Sequence, residues 1–248
     1  MSMYETREVA TFGALADGLL ELDGGQLWSF RGQRKDIWPL GVHDLPASDR
    51  VLQTRMKIFK RRCMEFSKPD YISEEDHWRW HFYAQHHRLK TRLLDWTTNP
   101  LVAIYFAVEN VLSRGDDEND FGTVWAIHVN AEHFLTPDEV GGAPETVREW
   151  IMINPPPVTD RLVRQSGKFS YHPPSHKQPI SEQLRPGEQL VKFVLRRSDR
   201  SNPASEIRDH LCTMNIHHAF MFPGPDGVAA FVNHEWPYRK LMRSIECT

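Results

Sequence analysis

Hydrophobic positions in this chain follow two periods that take turns along it. Short apolar runs rich in β-branched and aromatic residues, bounded by turn formers, predict strands at LWSFRG (27–32), TRLLDWT (91–97), GTVWAIHV (122–129) and QLVKFVLRR (189–197). The first of these is entered through a turn at Gly24 and Gly25. Elsewhere the spacing is helical. SDRVLQTRMKIFKRRCMEF (48–66) carries Val51, Leu52, Met56, Phe59, Cys63 and Phe66 at roughly that period, with Ser48 or Asp49 as N-cap and a basic outer face. SEEDHWRWHFYAQHH (73–87) begins on Ser73 and Asp76, a capping-box-like start, and sets Trp78, Phe82 and Gln85 on one face. The alternation of Trp78 and Trp80 leaves a strand open there, but the acidic start favours a helix. Asn99 as cap and Pro100 at the first position open a third helix, NPLVAIYFAVENVLSR (99–114), whose nearly all-round apolarity predicts burial on most sides.

The remaining segments read as connections and a closing unit. GDDEND (115–120) is an acidic, solvated loop, and the prolines of PPPVTD (155–160) and YHPPSHKQP (171–179) mark loops around RLVRQSGKFSYH (161–172). A helix near Ala204 to Cys212, a strand near AFMFP (219–223), a turn at GPDG (224–227) and a last helix through Trp236 and Met242 follow. The fold class expected is α+β, a single domain over 1–248 with short strands packed against helices, an N-terminal strand and turn region and a C-terminal helix. At 248 residues the chain can bury a sizeable core without staples.

Composition narrows the classes. Lys and Arg number 30 against 33 Asp and Glu, a net charge of −3, which argues against a globally basic nucleic-acid binder while leaving room for a local basic groove. Cys63, Cys212 and Cys247 are far apart and odd in number, which favours reduced structural thiols over a disulfide framework or a zinc ribbon. No run approaches the roughly 18 apolar residues of a membrane span, and the N-terminus lacks a basic region followed by an apolar one. A cytoplasmic protein with no membrane partner is expected.

HHRLKTRLLDWTTNP (86–100) crowds cations, a carboxylate and two threonines against the buried third helix. Arg31, at the end of a buried strand and flanked by Gly32, needs an anion: an internal carboxylate such as Asp95, or a ligand phosphate. Gly32 lets a ligand approach the backbone closely. Thr97, Thr98 and the free amides at the helix start suit phosphate or ribose oxygens, or Thr98 and Asn99 simply cap the helix. Asp95 stands where it can orient His86, His87 or Arg31, or be satisfied internally. His81, His86 and His87 lack the Cys or Glu pattern of a metal site, and no metal is expected. Walker and dinucleotide glycine loops are missing, as is Gly-x-Ser-x-Gly. The basic run KIFKRRC (57–63) reads as a solvated helix face or a nucleic-acid contact.

FRGQ (30–33), WPL (38–40) and HHRLKTRLLDWTTNPLVAIYFAVE (86–109) together resemble the FRG domain, a bacterial and phage family named for its Phe-Arg-Gly motif. RLVRQSGKF (161–169) and FMFPGPDGVA (220–229) are similar to its later segments, so the resemblance spans about 27–230. One departure is Arg88, where the family usually has glycine after the His-His pair. More distantly, SFRG and WTTNPLVAIYFA resemble the two linked motifs of mono-ADP-ribosyltransferases of the Arg-Ser-Glu class. That resemblance implies an ADP-ribosyltransferase-like fold, NAD as substrate, and a toxin or phage-defence effector acting on a macromolecule, protein or nucleic acid, with room for an antitoxin or other regulatory partner. In that reading Arg31 and Gln165 are catalytic candidates together with Asp95, which stands in for a carboxylate motif the sequence lacks unless the chemistry is lost or changed, and Arg31, Gly32, Gln33, His86, His87, Arg92, Thr97 and Thr98 are the candidates for binding NAD. Gln165 stands where a glutamate would be expected, and it can bond a ribose but supplies no charge. The alternatives are a nuclease built on His86, His87, Asp95, Arg92 and Lys90, or an inert nucleotide- or protein-binding module.

Overall fold

Residues 4–22, 27–43, 45–46, 48–66, 72–109, 122–175, 178–196 and 203–234 are described by a computed structural model. The expected turn at Gly24 and Gly25, the acidic loop 115–120, Cys247 and the helix through Trp236 and Met242 lie outside them.

Eight strands form one sheet among the described residues: β1 (Glu5–Val9), β2 (Trp28–Gln33), β3 (Leu93–Thr97), β4 (Thr123–His128), β5 (Phe134–Leu135), β6 (Ile151–Ile153), β7 (Gly167–Tyr171) and β8 (Gln189–Leu195). Their order is β1-β8-β4-β2-β3-β7-β6-β5. The outermost pairs, β1 with β8 and β5 with β6, are parallel and the inner pairs antiparallel. The helices are α1 (Phe12–Leu20), α2 (Asp49–Phe66), α3 (His77–His86), α4 (Pro100–Val108), α5 (Pro137–Val140), α6 (Asp160–Arg164), α7 (Pro203–Thr213), α8 (His218–Met221) and α9 (Pro225–His234). This is an α+β chain, and none of its described helices is long and apolar enough to cross a membrane.

Alternation along the strands sends neighbouring residues to opposite faces. Phe30, Val124, Ala126, Val191 and Phe193 pack with α1, α4 and α7, while Leu93, Phe169 and Tyr171 pack with Trp78 and Phe82 of α3. On the reverse face Trp96, Trp125, Ile127 and Met152 build a further core with Leu40, Trp150 and Ile180. The expected helix 73–87 forms as α3, with Asp76 capping through its carboxylate to the Arg79 amide at 3.0 Å; Ser73 contributes its carbonyl, which accepts from Trp80 Nε1.

The sheet is nearly two sheets. β2 pairs with β4 along its whole length and β3 with β7 along its whole length, yet β2 and β3 share the single register pair Phe30 with Thr97. Beyond that pair the two strands part, and each keeps only its outer neighbour. α4 lies against β2 beside the gap. Asn99 Oδ1 accepts from the Leu101 amide at 3.0 Å and Pro100 takes the first helical turn, so the start is fixed locally as its sequence predicts. Its contact with β2 is backbone to backbone: a Cβ on Gly32 would lie 1.9 Å from the Ala103 carbonyl oxygen and 2.6 Å from the Ala107 nitrogen.

Two expectations near the end are corrected. The strand expected at AFMFP is helix α8, capped by His217 Nδ1 accepting from the Phe220 amide at 3.3 Å, with Met221 turned into the core. Asn215, at φ +62°, precedes it in a left-handed turn. The turn at GPDG is the start of α9: Gly224 bends at φ +127°, Pro225 begins the helix, and Asp226 lies in its first turn.

Gly32→Ala therefore drives a methyl into the α4 backbone rather than into a movable side chain. Urea unfolding is expected to show a loss of about 3 kcal/mol, at the upper end of overpacking costs. A loss below about 1 kcal/mol would mean that the helix is not held this close.

Candidate functional site

Where β2 and β3 part, a cleft of about 690 Å³ opens, lined on one side by Phe30 to Arg34 and on the other by Asp95 to Thr97. α4 contributes Val102, Ala103 and Phe106, the end of α3 contributes Gln85 and His86, and Arg161, Gln165 and Phe222 close the far wall. Its charged lining is Arg31, Arg34, Arg88, Lys90 and Arg161 against Asp95 and Glu109, a clear positive surplus in a chain of net charge −3. The volume falls within the roughly 300–1,000 Å³ usual for small-molecule sites.

Arg31 spans the split. Its Nη1 donates to the backbone carbonyl of Asp95 at 2.8 Å, taking an acceptor at the point where the ladder between the strands has ended. The guanidinium is only partly spent, since Nε is enclosed and has no partner among the described residues. Burial draws Arg31 below the ordinary guanidinium value, and the Asp95 carboxylate opposes that shift. Arginine stays charged regardless, so the cleft floor holds a cation with an unused donor.

Asp95 faces the cleft on the strand face it shares with Leu93 and Thr97. Gln85 Nε2 donates to its Oδ2 at 2.8 Å, and Gln85 is itself fixed by Thr91 Oγ1 donating to Oε1 at 2.8 Å. The carboxylate is thus held by a neutral relay. His86 borders the cleft as a neutral imidazole: burial, then His87 and Arg161, lower it to about 4.

Other expected residues fall into four groups. Gln33 lines the cleft but is structural, its Oε1 accepting from Trp125 Nε1 at 2.8 Å. Thr97 donates to the Gln165 carbonyl at 2.6 Å and accepts from the Asn99 amide at 3.0 Å; Gln165 Nε2 donates to the Met221 carbonyl at 2.9 Å. Those two also line the cleft, with their polar atoms tying its walls together. Gly32 lines it while the place of its missing side chain is filled by α4. Thr98, His87 and Arg92 stand apart from the lining. Thr98 is exposed with its amide on the Ser166 carbonyl, and His87 packs edge-on against Tyr83. Arg92 Nε and Nη2 both reach Asp49 Oδ1 at the start of α2, and Nη1 the His172 carbonyl.

A model of the FRG domain matches residues 26–116. Over that segment the chain is similar to the FRG domain. No curated protein and no solved structure matches it. The matched FRG segment runs from the start of β2 through α4 and so contains both lips of the split; Arg161, Gln165 and Phe222 lie beyond it. Sequence reasoning placed Gln85 on a helix face and Arg161 at the head of RLVRQSGKF, but named neither of them, nor Glu109, as a site residue. Gln85 stands beside the noticed His86 on α3, whereas Arg161 is separated from its cleft neighbours by loops, and the resemblance of RLVRQSGKF was the one signal for it.

Arg88, the residue that replaces the FRG family's usual glycine, keeps a glycine-like backbone at φ +64°. Its amide donates to the Gln85 carbonyl and the Leu89 amide to the Ala84 carbonyl, the paired bonds of a Schellman ending to α3. The left-handed conformation is strained for arginine. Arg88→Gly is expected to raise stability by up to about 1 kcal/mol in urea unfolding, strain relief being partly offset by a more flexible unfolded chain. A loss of more than about 1 kcal/mol would contradict this reading of the loop.

Proposed function

We propose that this cleft binds NAD and breaks its nicotinamide–ribose bond, transferring ADP-ribose to a macromolecule. The observation that supports this most is the Arg31–Asp95 pair: a fixed cation with a spare buried donor, next to a carboxylate fixed by Gln85. NAD offers each what it needs, a phosphate for the guanidinium and a sugar that turns cationic for the carboxylate. In the reaction the bond between ribose C1′ and the pyridinium nitrogen breaks and its electron pair leaves with nicotinamide. The acceptor's lone pair then forms the new bond at C1′ and the acceptor gives up its proton. Asp95 steadies the positive charge on the sugar, an interaction strongest in the transition state. The resemblance of SFRG and WTTNPLVAIYFA to ADP-ribosyltransferases supports the same reading.

A second reading, an inert nucleotide-binding module, draws support from Gln165, which supplies no charge and whose amide is committed to Met221. The nuclease reading is weaker, because Arg92 is committed to Asp49 and His87 stands outside the cleft lining.

Titration calorimetry with NAD followed by nicotinamide release separates these. Arg31→Ala is expected to weaken NAD binding about 10- to 100-fold, the worth of a charge-assisted hydrogen bond. Arg31→Lys serves as the control that keeps the charge. Asp95→Asn keeps an acceptor for Gln85 and is expected to slow release about 100-fold or more with affinity changed only a few-fold. Binding without release in the wild type supports the inert module; neither binding nor release in a cooperatively melting protein would sink both.

A further inference from the structure

Arg161 lies on α6, outside the matched FRG segment. Its guanidinium sits 4.5 Å from the centre of the Phe222 ring, a cation–π contact that uses no hydrogen-bond donor. Phe222 is held in turn by His218 at 4.5 Å and Phe106 at 6.4 Å between ring centres. Arg161 is half-buried in the cleft wall, and its guanidinium has no hydrogen-bond acceptor among the described residues. Arg31 and Arg161 line the same cleft with Asp95 and Glu109; burial draws the Arg161 guanidinium down, Asp95 and Glu109 oppose that and Arg88 adds to it.

We propose that Arg31 and Arg161 form a two-point anion clamp that makes the cleft selective for nucleoside diphosphates over monophosphates. The clamp rests on the reading of the cleft as a nucleotide site and adds which part of the nucleotide it measures. Two guanidiniums lining one cleft suit two adjacent phosphates, one to each cation. A monophosphate satisfies one cation and leaves the other as it stands in the free protein.

Calorimetry of the full chain with ADP and with AMP tests this without requiring any reaction. The wild type is expected to bind ADP at least about 10-fold tighter than AMP. Arg161→Ala is expected to remove that preference by weakening ADP about 10- to 100-fold while AMP changes less than about 3-fold. Arg161→Lys restores part of it as a point charge. Melting curves of each variant show that α6 still folds, and Phe222→Leu, which removes the aromatic support and keeps the charge, is expected to give a partial loss. Equal affinity for ADP and AMP in the wild type, equal loss of both in Arg161→Ala, or binding of neither would overturn the clamp. An ADP preference dependent on Arg161 in a protein that releases no nicotinamide upholds the clamp and removes the proposed reaction instead.

Discussion

Everything in the cleft depends on how β2 and β3 part after one shared pair. A sheet that stops pairing midway leaves backbone donors and acceptors to be satisfied some other way, and a buried one left bare costs on the order of 1–3 kcal/mol. Arg31 answers this at Asp95 by placing a guanidinium on its carbonyl. A side chain that replaces part of a ladder does more than close it, because a guanidinium has five donors where a backbone amide has one. Charge and spare donors are therefore left at the bottom of the gap, which makes the split of the sheet and the chemistry of the site one feature.

The rest of the fold holds the gap at a fixed width. α4 is pressed onto β2 at Gly32 and cannot slide toward the cleft without breaking its own packing, which is continuous with the core of α1 and α7. On the other lip, Thr97 and Gln165 tie the end of β3 to α6, and Gln165 ties α6 onward to Met221. α3 supplies Gln85 from the side, fixed by Thr91 just before β3. Each wall is thus braced by hydrogen bonds that leave Asp95 and the two arginines facing the space between.

What the sequence disclosed follows the range of the forces involved. β2, β3 and α4 were readable because alternation, an Asn-Pro start and a nearly all-apolar helix are local signals, and with them came Arg31, Asp95 and Thr97. The meeting of Arg31 with the Asp95 carbonyl, 64 residues away, was legible only as a need for an anion, and the structure answers it with a backbone oxygen while the carboxylate goes to Gln85. Arg92 looked like a site residue for want of any sign that Asp49 would claim it. Gly32 was read as room for a ligand, and the room is taken by α4, a matter of helix placement that no single strand encodes. AFMFP is too short an apolar run for its period to tell strand from helix. Arg161 enters the cleft through α6 and its stacking on Phe222, a contact between distant segments.

Amide hydrogen exchange with and without saturating NAD tests the central claim most directly, because it reads the lips of the split and needs neither turnover nor a substituted residue. The account predicts slowed exchange confined to Arg31–Gln33, Asp95–Thr97 and the α6 segment, with α2 and the outer strands unchanged. Protection elsewhere with none at β2 and β3 would show that NAD does not enter the split, and the account of the cleft would fail with it.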